Sequence, residues 1–373
     1  MDSDRSPGRA GRPPALRRLP FLAMAVVALL AGLWAGLLRL GLDLPALRPG
    51  LAADHGILLV LGFLGTQIGL ERAVALGRGW TYLAPAAAGA GALWLLLGLP
   101  QEAGQAILAF GGLVLVAVFV AVHRIQPSWH NLVMGLGAVA WLVGAVVWMA
   151  DRPMADVMPW LAAFLVLTIV GERLELSRMG RPPKGAIALL LGVVAAFLAG
   201  LVIATAGPAG AGIRLAGIGL FGQALWLARY DVARRTIRVA GATRYMAVAL
   251  IAGYFWLGVA GISWVAGGSL AGGGFFYDAM VHTIFLGFVF SMIFAHAAII
   301  VPAVLGVALP WRPGFYLPLA LLHLGLAVRV LGDLAESTTA WRLGGILDEI
   351  AILLFLAMAV VSSVRAGRSA RST

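Results

Sequence analysis

Apolar residues occur along this chain in blocks of about 20, separated by short segments that contain Gly, Pro or charged residues. A helix of about 20 residues rises about 1.5 Å per residue and so crosses about 30 Å of hydrocarbon. The blocks therefore predict about twelve transmembrane helices. They lie near residues 20–40, 55–75, 80–99, 104–123, 129–150, 157–176, 186–206, 210–230, 245–267, 279–304, 314–332 and 345–365.

This pattern predicts an all-α integral membrane fold with a single transmembrane helical domain over residues 19–366. A basic cytoplasmic tail at 1–18 precedes this domain, and a second cytoplasmic tail at 367–373 follows it. The first apolar block lacks a small-residue cleavage site, so we expect a retained helix and not a signal peptide.

The composition excludes several classes of protein. Hydrophobic residues make up 61% of the chain and charged residues only 12%, which rules out a soluble enzyme, a nucleic-acid-binding protein and a disordered chain. The chain contains 0 cysteines, which removes disulfides, thiolate metal sites, iron–sulfur clusters and cysteine nucleophiles. Any ligand to a metal or cofactor must come from His, Met, Asp, Glu or Tyr.

The net charge of +11 is explained by orientation in the membrane. If both termini are cytoplasmic, most basic residues fall on the cytoplasmic side, as the positive-inside rule requires. They are Arg5, Arg9, Arg12, Arg17 and Arg18, the stretch Arg173 to Lys184, Arg229, Arg234, Arg235, Arg238, Arg244, Arg365, Arg368 and Arg371. We therefore expect a multi-pass protein of the bacterial cytoplasmic (inner) membrane. Its partner is the lipid bilayer and not nucleic acid, and its oligomeric state stays open.

A short motif recurs at the predicted ends of helices 2 and 6. Glu71-Arg72 and Glu172-Arg173 are 101 residues apart, which corresponds to four helices. The spacing indicates three pseudo-repeats of four helices, with helix 10 as the next member of the series. Each pair is either an interfacial ion pair or interhelical clamp, or the mouth of a proton path.

Four of the six histidines form two pairs by predicted depth. His55 and His282 open helices 2 and 10 near the outer face, whereas His296 and His323 lie in the inner half. Ionisable residues inside a membrane are costly unless they are paired or ligated, so each is a candidate for function. Imidazole is the usual haem ligand in a chain without cysteine, and the pairing is the pattern expected of axial ligation.

Other residues are compatible with such a cofactor. Gly56, Gly62, Gly65 and Gly287 would let a porphyrin lie close to the helix backbone. Copper also accepts imidazole ligands, and Met280, Met292 and Met358 could supplement them. The alternatives are interfacial histidines at 55 and 282, and a proton-relay or hydrogen-bonded structural role for His296 and His323.

Arg329, six residues after His323, needs an anionic partner within the membrane. Asp333 lies four residues later on the same helix and is the simplest candidate. Asp348, Glu349 or a haem propionate would also serve.

One segment of the chain resembles the NnrS family of bacterial membrane proteins. It runs as Met280-Val281-His282-Thr283-Ile284-Phe285-Leu286-Gly287-Phe288-Val289-Phe290-Ser291-Met292-Ile293, with Pro302-Ala303-Val304-Leu305-Gly306 after it. The stretch from Leu321-Leu322-His323 to Arg329-Val330 resembles the next helix of that family, and His55 stands where the family has a histidine-rich helix start.

The resemblance implies twelve helices, binding of haem and copper, and a role in nitric oxide metabolism and tolerance, with His55 and His282 as the first residues to carry over. The chain departs from the family at Asp54-His55-Gly56 and at Leu309 to Gly314. It is more distantly similar to the catalytic subunit of haem-copper oxidases, whose consecutive histidine pair and extra copper histidine it lacks.

The leading hypothesis from the sequence is a membrane protein that binds haem b, and in addition copper, and handles a redox partner or a small gas such as nitric oxide. If it is an enzyme, it is a haem-dependent oxidoreductase. A proton-coupled transporter that uses His296, His323 and Arg329 is the main alternative. A third hypothesis is an assembly or anchoring subunit whose histidines are incidental.

Overall fold

A computed structural model of the chain describes residues 15–180 and 182–369, and within these ranges it contains helices and no strand. Most of the predicted tail at 1–18 lies outside the described residues, as do residues 370–373 of the tail at 367–373. The predicted cytoplasmic positions that are therefore not described are Arg5, Arg9, Arg12, Arg181 and Arg371. The principal helices α1 to α12 are Leu19–Arg39, Leu51–Leu76, Leu83–Leu96, Gln101–Ile125, Trp129–Met149, Met154–Ser177, Lys184–Ala206, Ala209–Tyr230, Ala242–Gly267, Gly274–Leu305, Tyr316–Leu334 and Thr338–Ser369.

Among the described residues, 11 helices are long and apolar enough to cross a membrane, which fits a polytopic membrane protein. The remaining principal helix, α3, has 14 residues and follows a 3-10 turn at Gly79–Tyr82. The predicted blocks and the observed helices agree within a few residues at most boundaries. The largest differences are the starts of α10 and α12, each of which lies several residues before the predicted one. Asp278 in α10 and Thr338, Thr339 and Arg342 in α12 lower the local hydrophobicity there.

Proline and glycine set several helix boundaries. Pro100, Pro153, Pro183 and Pro208 each occupy the position directly before a helix, which begins at the next residue. Proline lacks an N–H group and cannot continue a preceding helix, so it is well placed at a helix start. At the other end, α2 stops at Gly77, whose φ of 68° is left-handed and favours glycine.

The helix α6 lies in the middle of the bundle. Its side chains are buried on all sides, and Phe164 packs against Trp141 of α5 with ring centroids 5.0 Å apart. Helices that face outward keep apolar side chains exposed, including Phe110, Leu189 and Phe255. An exposed apolar face of this kind is the surface that a bilayer covers.

Two helices change from α to π geometry within three residues of a histidine. In α2 the π-helical stretch is Leu58–Gly65, three residues after His55, and in α10 it is Thr283–Phe290, directly after His282. A π-helix is wider than an α-helix and occurs mostly as a short insertion, frequently at a functional site. No periodicity in the sequence indicated these stretches.

The fold therefore has two polar ends that are distinguishable by their residues. The end that we call outer, after the predicted orientation, lies near His55 in the first part of α2 and His282 in the first part of α10, and α1, α11 and α12 pack beside them. The inner end is where α2, α6 and α8 finish, near Arg72, Arg173 and Asp231.

We predict that close packing of α7 against α8 depends on Gly200. A Cβ atom at this position would lie 2.7 Å from the Gly212 carbonyl oxygen and 2.8 Å from the Ala216 Cα. Gly200→Ala should therefore lower the free energy of unfolding by about 1–3 kcal/mol through overpacking. Unfolding of the detergent-solubilised protein, followed by circular dichroism, measures this change.

The control for that variant is Gly192→Ala on the same helix, where nothing lies within 4 Å of an added Cβ. This change should leave stability unaltered or raise it by up to about 1 kcal/mol, because alanine favours helix over glycine. Equal effects of the two substitutions would contradict the predicted contact.

Candidate functional site

His55 and His282 face each other at the outer end of the bundle. A 3-10 turn at Leu51–Asp54 leads into His55, and His282 is the last α-helical residue before the π stretch of α10. Their ring centroids are 6.4 Å apart and their planes are inclined by 33°. The structure thus brings together the two histidines that the sequence placed at a common depth.

Both imidazole rings are held through Nδ1. His55 Nδ1 lies 2.7 Å from the carbonyl oxygen of Gly32, and His282 Nδ1 lies 2.9 Å from that of Asp278. A carbonyl oxygen can only accept, so each Nδ1 donates and each Nε2 is left as the second ring nitrogen. This arrangement, with Nδ1 bound to a backbone carbonyl, is the usual support for a histidine that ligates a metal through Nε2.

The Nε2 atoms of the two histidines have different neighbours. His282 Nε2 lies 3.3 Å from Nη2 of Arg329, and since a guanidinium only donates, this nitrogen acts as an acceptor. No hydrogen-bond partner of His55 Nε2 occurs among the described residues. Nε2 therefore carries the lone pair in both rings, and in His282 this lone pair faces Arg329.

The helix α1 leaves room for His55 at two glycines. Gly32 supplies the carbonyl that accepts from His55. One turn later, a Cβ on Gly36 would lie 2.8 Å from His55 Cε1 and 2.9 Å from Glu349 Oε1. The ring and the carboxyl group therefore both approach the bare backbone of α1, and only glycine permits this approach.

Arg329 is the central cation of the outer end. It is buried, and Nε and Nη2 donate to the two carboxylate oxygens of Asp278 at 2.6 and 2.8 Å. Its Nη1 lies 3.9 Å from Oδ2 of Asp348. The expectation of Asp333 as its partner is wrong, because neither carboxyl oxygen of Asp333 has a hydrogen-bond partner among the described residues.

Carboxyl groups outnumber cations around Arg329. Asp333, Asp348 and Glu349 are buried, and Asp348 has two oxygens and Glu349 one oxygen with no hydrogen-bond partner in the described part of the chain. Asp348 and Glu349 follow each other on α12, and both line a cavity beside His55. The sequence predicted Asp333, Asp348 and Glu349 only as possible partners of Arg329 and not as part of a cavity wall.

Two adjoining cavities open around the histidine pair. The first, of about 360 Å³, is lined mostly by apolar side chains such as Leu59, Met158 and Phe285. The second, of about 370 Å³, is more polar and includes Asp278 and Trp341. The two cavities share part of their lining, including His55, His282, Arg39, Arg329 and Glu349.

The glycines and methionines named from the sequence have mixed positions. Gly56 lines the apolar cavity, whereas Gly62, Gly65 and Gly287 serve helix packing against Ala92, Trp141 and Trp256. Met280, Met292 and Met358 lie near Gly267, Gly253 and Gly314 and not in the cavity wall. Within the described ranges, no three or more His, Asp or Glu side chains form a group that could hold a metal ion.

The two Glu-Arg pairs meet at the inner end of the bundle. Arg72 of the first pair donates to Glu172 of the second and lies 3.5 Å from its own neighbour Glu71. Arg173 donates to both oxygens of Asp231 at 2.8 Å, so the motif clamps α2 to α6 and α6 to α8.

His296 belongs to this inner cluster and His323 does not. His296 Nε2 lies 3.2 Å from Nη1 of Arg173, and its Nδ1 lies 2.8 Å from the Met292 carbonyl oxygen. His323 instead accepts at Nδ1 a hydrogen bond of 3.0 Å from the Trp256 indole, and its Nε2 is buried without a partner among the described residues. The two inner histidines thus have separate surroundings.

Sequence reasoning missed Asp278, Asp231 and Arg39 as parts of these sites. Asp278 was assigned to a loop because the helix was predicted to begin near 279, yet α10 begins at Gly274. An available signal was the spacing of Asp278 and His282, four residues apart and so on one helix face. Nothing in the sequence marked Asp231 as the partner of Arg173, since 58 residues separate them.

We predict that Arg329→Gln destabilises the protein strongly. The change leaves the Asp278 carboxylate buried without its bidentate partner, and removal of one member of a buried pair costs about 3–5 kcal/mol. The midpoint of thermal unfolding in detergent should fall accordingly.

The matched control is Arg152→Gln, which removes the ion pair with Asp156. This pair is formed at 2.8 Å but the Arg152 side chain is 49% exposed, so its loss should cost no more than about 1 kcal/mol. An Arg329→Gln protein as stable as the control would refute the assigned role of the buried pair.

Residues 18–364 match a family model whose description is "Domain of unknown function (DUF8744)". No curated protein matches the chain. No solved structure matches it either.

Proposed function

Because the chain belongs to the DUF8744 family, whose description assigns no activity, we propose its function from the site: a membrane protein that binds haem b between His55 and His282. The observation that carries this proposal is the facing pair of imidazoles beside an apolar cavity. The resemblance of α10 to the NnrS family supports the same two histidines.

The distance between the rings supports axial ligation. A bond from a metal to an imidazole nitrogen is about 2 Å, so two imidazoles that ligate one metal from opposite sides have centroids about 6 Å apart. The observed separation of 6.4 Å is close to this value. Both rings have Nδ1 bound to a backbone carbonyl, so each would bind the iron through Nε2. For His282, the iron would take the place of the contact with Arg329.

The surroundings of the pair also fit a porphyrin. The apolar cavity provides side chains such as Leu59 and Phe285 for the ring faces. Arg39, the last residue of α1, and Arg329 border both cavities. Arg39 would pair with a propionate, whereas Arg329 already donates to both carboxylate oxygens of Asp278. A chain with 0 cysteines cannot attach haem through thioethers, so we propose haem b.

Bound haem would supply one-electron redox chemistry or a site for a small gas such as nitric oxide. The residues of this chain set the conditions for that chemistry. The Asp278 carboxylate, 3.2 Å from His282 Nδ1, increases the donor strength of the imidazole. Apolar side chains of the first cavity limit the access of water. We propose a role in redox or nitric oxide handling, and oxidoreductase activity if the protein is an enzyme.

We do not propose a separate copper site. Such a site needs several soft or imidazole ligands around one point. No group of three or more His, Asp or Glu side chains that could hold a metal occurs in the part of the chain that the structure describes.

We also propose that the fold consists of three units of four helices, with both termini on the cytoplasmic side of a bacterial inner membrane. In each of α2, α6 and α10, a phenylalanine stands eight residues before an ionisable residue. The pairs are Phe63 and Glu71, Phe164 and Glu172, and Phe288 and His296. Contacts through Arg72 and Arg173 join the three positions in the inner cluster. The distribution of basic residues supports the orientation.

The test of the haem proposal is the visible spectrum of the purified protein. We expect the wild type to bind haem with a Soret band typical of six-coordinate, low-spin iron and to contain iron. Either His55→Ala or His282→Ala should give a five-coordinate, high-spin spectrum, and the double variant should lose the band, because each change removes one axial ligand.

The control variant is His123→Ala, near the end of α4, which lines neither cavity and should retain the wild-type spectrum. Each variant is first checked for an unchanged circular dichroism spectrum. Wild-type protein without a Soret band, or a double variant with the wild-type band, would refute the proposal. Substrate-dependent proton flux in haem-free proteoliposomes would favour the transporter hypothesis instead.

A further inference from the structure

We propose that a basic groove at the inner end of the bundle binds a phosphate group. This arginine groove is a cavity of about 510 Å³ between the connection from α6 to α7 and the connection from α8 to α9. Its lining residues include Arg229, Arg234, Arg235 and Arg238. The inference does not depend on the haem proposal, because the groove lies at the opposite end of the bundle.

The groove has an uncompensated positive charge. Asp231 is the only acidic residue that lines it within the described ranges. Both of its carboxylate oxygens accept from the buried Arg173, at 2.8 Å, and Oδ1 also accepts from the backbone N–H of Ala233 at 2.7 Å. Since its charge is already paired, Asp231 does not neutralise the four arginines of the groove.

Local contacts orient two of these arginines. The Arg229 guanidinium lies 5.2 Å from the centroid of the Tyr230 ring, a cation–π contact. Arg234 Nη1 donates to the Arg229 carbonyl oxygen at 2.9 Å, at the end of α8. Arg235 and Arg238 are exposed on the same wall, three residues apart.

Membrane orientation alone does not explain this arrangement. The positive-inside rule requires basic residues near the membrane but does not require that they share one concavity. The described residues of the connection from α6 to α7 that line the groove are Gly180, Pro182 and Pro183, and these three residues are uncharged. Four guanidinium groups thus border a space that is open to a ligand, and an anion bound between them would reduce their mutual repulsion.

A phosphate group is the ligand that this chemistry favours. Guanidinium groups form bidentate hydrogen bonds to phosphate oxygens, and several of them can surround one tetrahedral anion. A cavity of about 510 Å³ also has room for a substituent on the phosphate. The group can belong to the headgroup of an anionic lipid, since the groove lies where α8 leaves the apolar region, or to free phosphate from the aqueous phase.

The experiment compares the full-length wild type with R235Q/R238Q and with the control R78Q/R124Q. Arg78 is exposed in the connection after α2, and Arg124 is exposed in the last turn of α4, so the control removes two positive charges outside the groove. One arm measures binding of radiolabelled inorganic phosphate to protein in a neutral detergent by equilibrium dialysis. The other uses native mass spectrometry to count phosphatidylglycerol retained from nanodiscs of phosphatidylcholine with one-fifth phosphatidylglycerol.

We expect the wild type and the control to bind alike in at least one arm of the experiment. In that arm R235Q/R238Q should bind about ten-fold more weakly, because this is the typical contribution of two basic side chains to binding an anionic group. The effect in the phosphate arm identifies a free anion, and the effect in the lipid arm alone identifies a headgroup. The variant R235K/R238K, which keeps the charge but loses the bidentate geometry, should give intermediate binding. Absence of wild-type binding in both arms, or equal losses in the groove variant and the control, would overturn the proposal.

Discussion

The outer end of the bundle depends on one ion pair, the bidentate contact between Arg329 of α11 and Asp278 of α10. A charged group inside hydrocarbon is costly without a partner, so this pair fixes the two helices relative to each other. The same contact positions His282, because Asp278 accepts from Nδ1 through its carbonyl oxygen and Arg329 approaches Nε2. With His282 fixed, His55 on α2 needs only the Gly32 carbonyl and the bare backbone at Gly36 to face it across 6.4 Å.

The inner end follows the same constraint with other residues. Arg72 joins α2 to α6 through Glu172, while Arg173 joins α6 to α8 through Asp231 and contacts His296 of α10. Most buried charged side chains are thus collected in two clusters. The helices between them are joined by apolar packing, by close contacts at glycine and by single hydrogen bonds such as that from Trp256 to His323. This separation explains how a chain with 12% charged residues places many of them inside the bundle. Each cluster leaves an open space beside it, the paired cavities outside and the arginine groove inside.

The sequence predicted the approximate position of each helix, because the thickness of the hydrocarbon layer sets the length of a spanning helix, and blocks of apolar residues of that length are visible in the sequence. It also identified His55 and His282 as a pair, since both precede an apolar block in helices of the same direction. It failed at Asp278, whose helix starts earlier than hydrophobicity indicates. It named Asp333 as the simplest partner of Arg329 and did not consider Asp278, because spacing along one helix ignores neighbouring helices. The similar depth of His296 and His323 did not bring them together, since depth says nothing about which face of the bundle a residue occupies.

The sequence by itself determined the membrane environment, the helical class and the short set of ionisable residues available for chemistry. These properties follow from the local cost of exposing polar groups to lipid, which each segment carries independently of the others. Only the tertiary structure decided the partners: Asp278 for Arg329, Asp231 for Arg173, Trp256 for His323, and His55 across from His282. It also decided where α2 and α10 become π-helical. The partner of a residue depends on how whole helices rotate and pack. The local sequence around a residue therefore does not indicate a partner that lies 50 or more positions away.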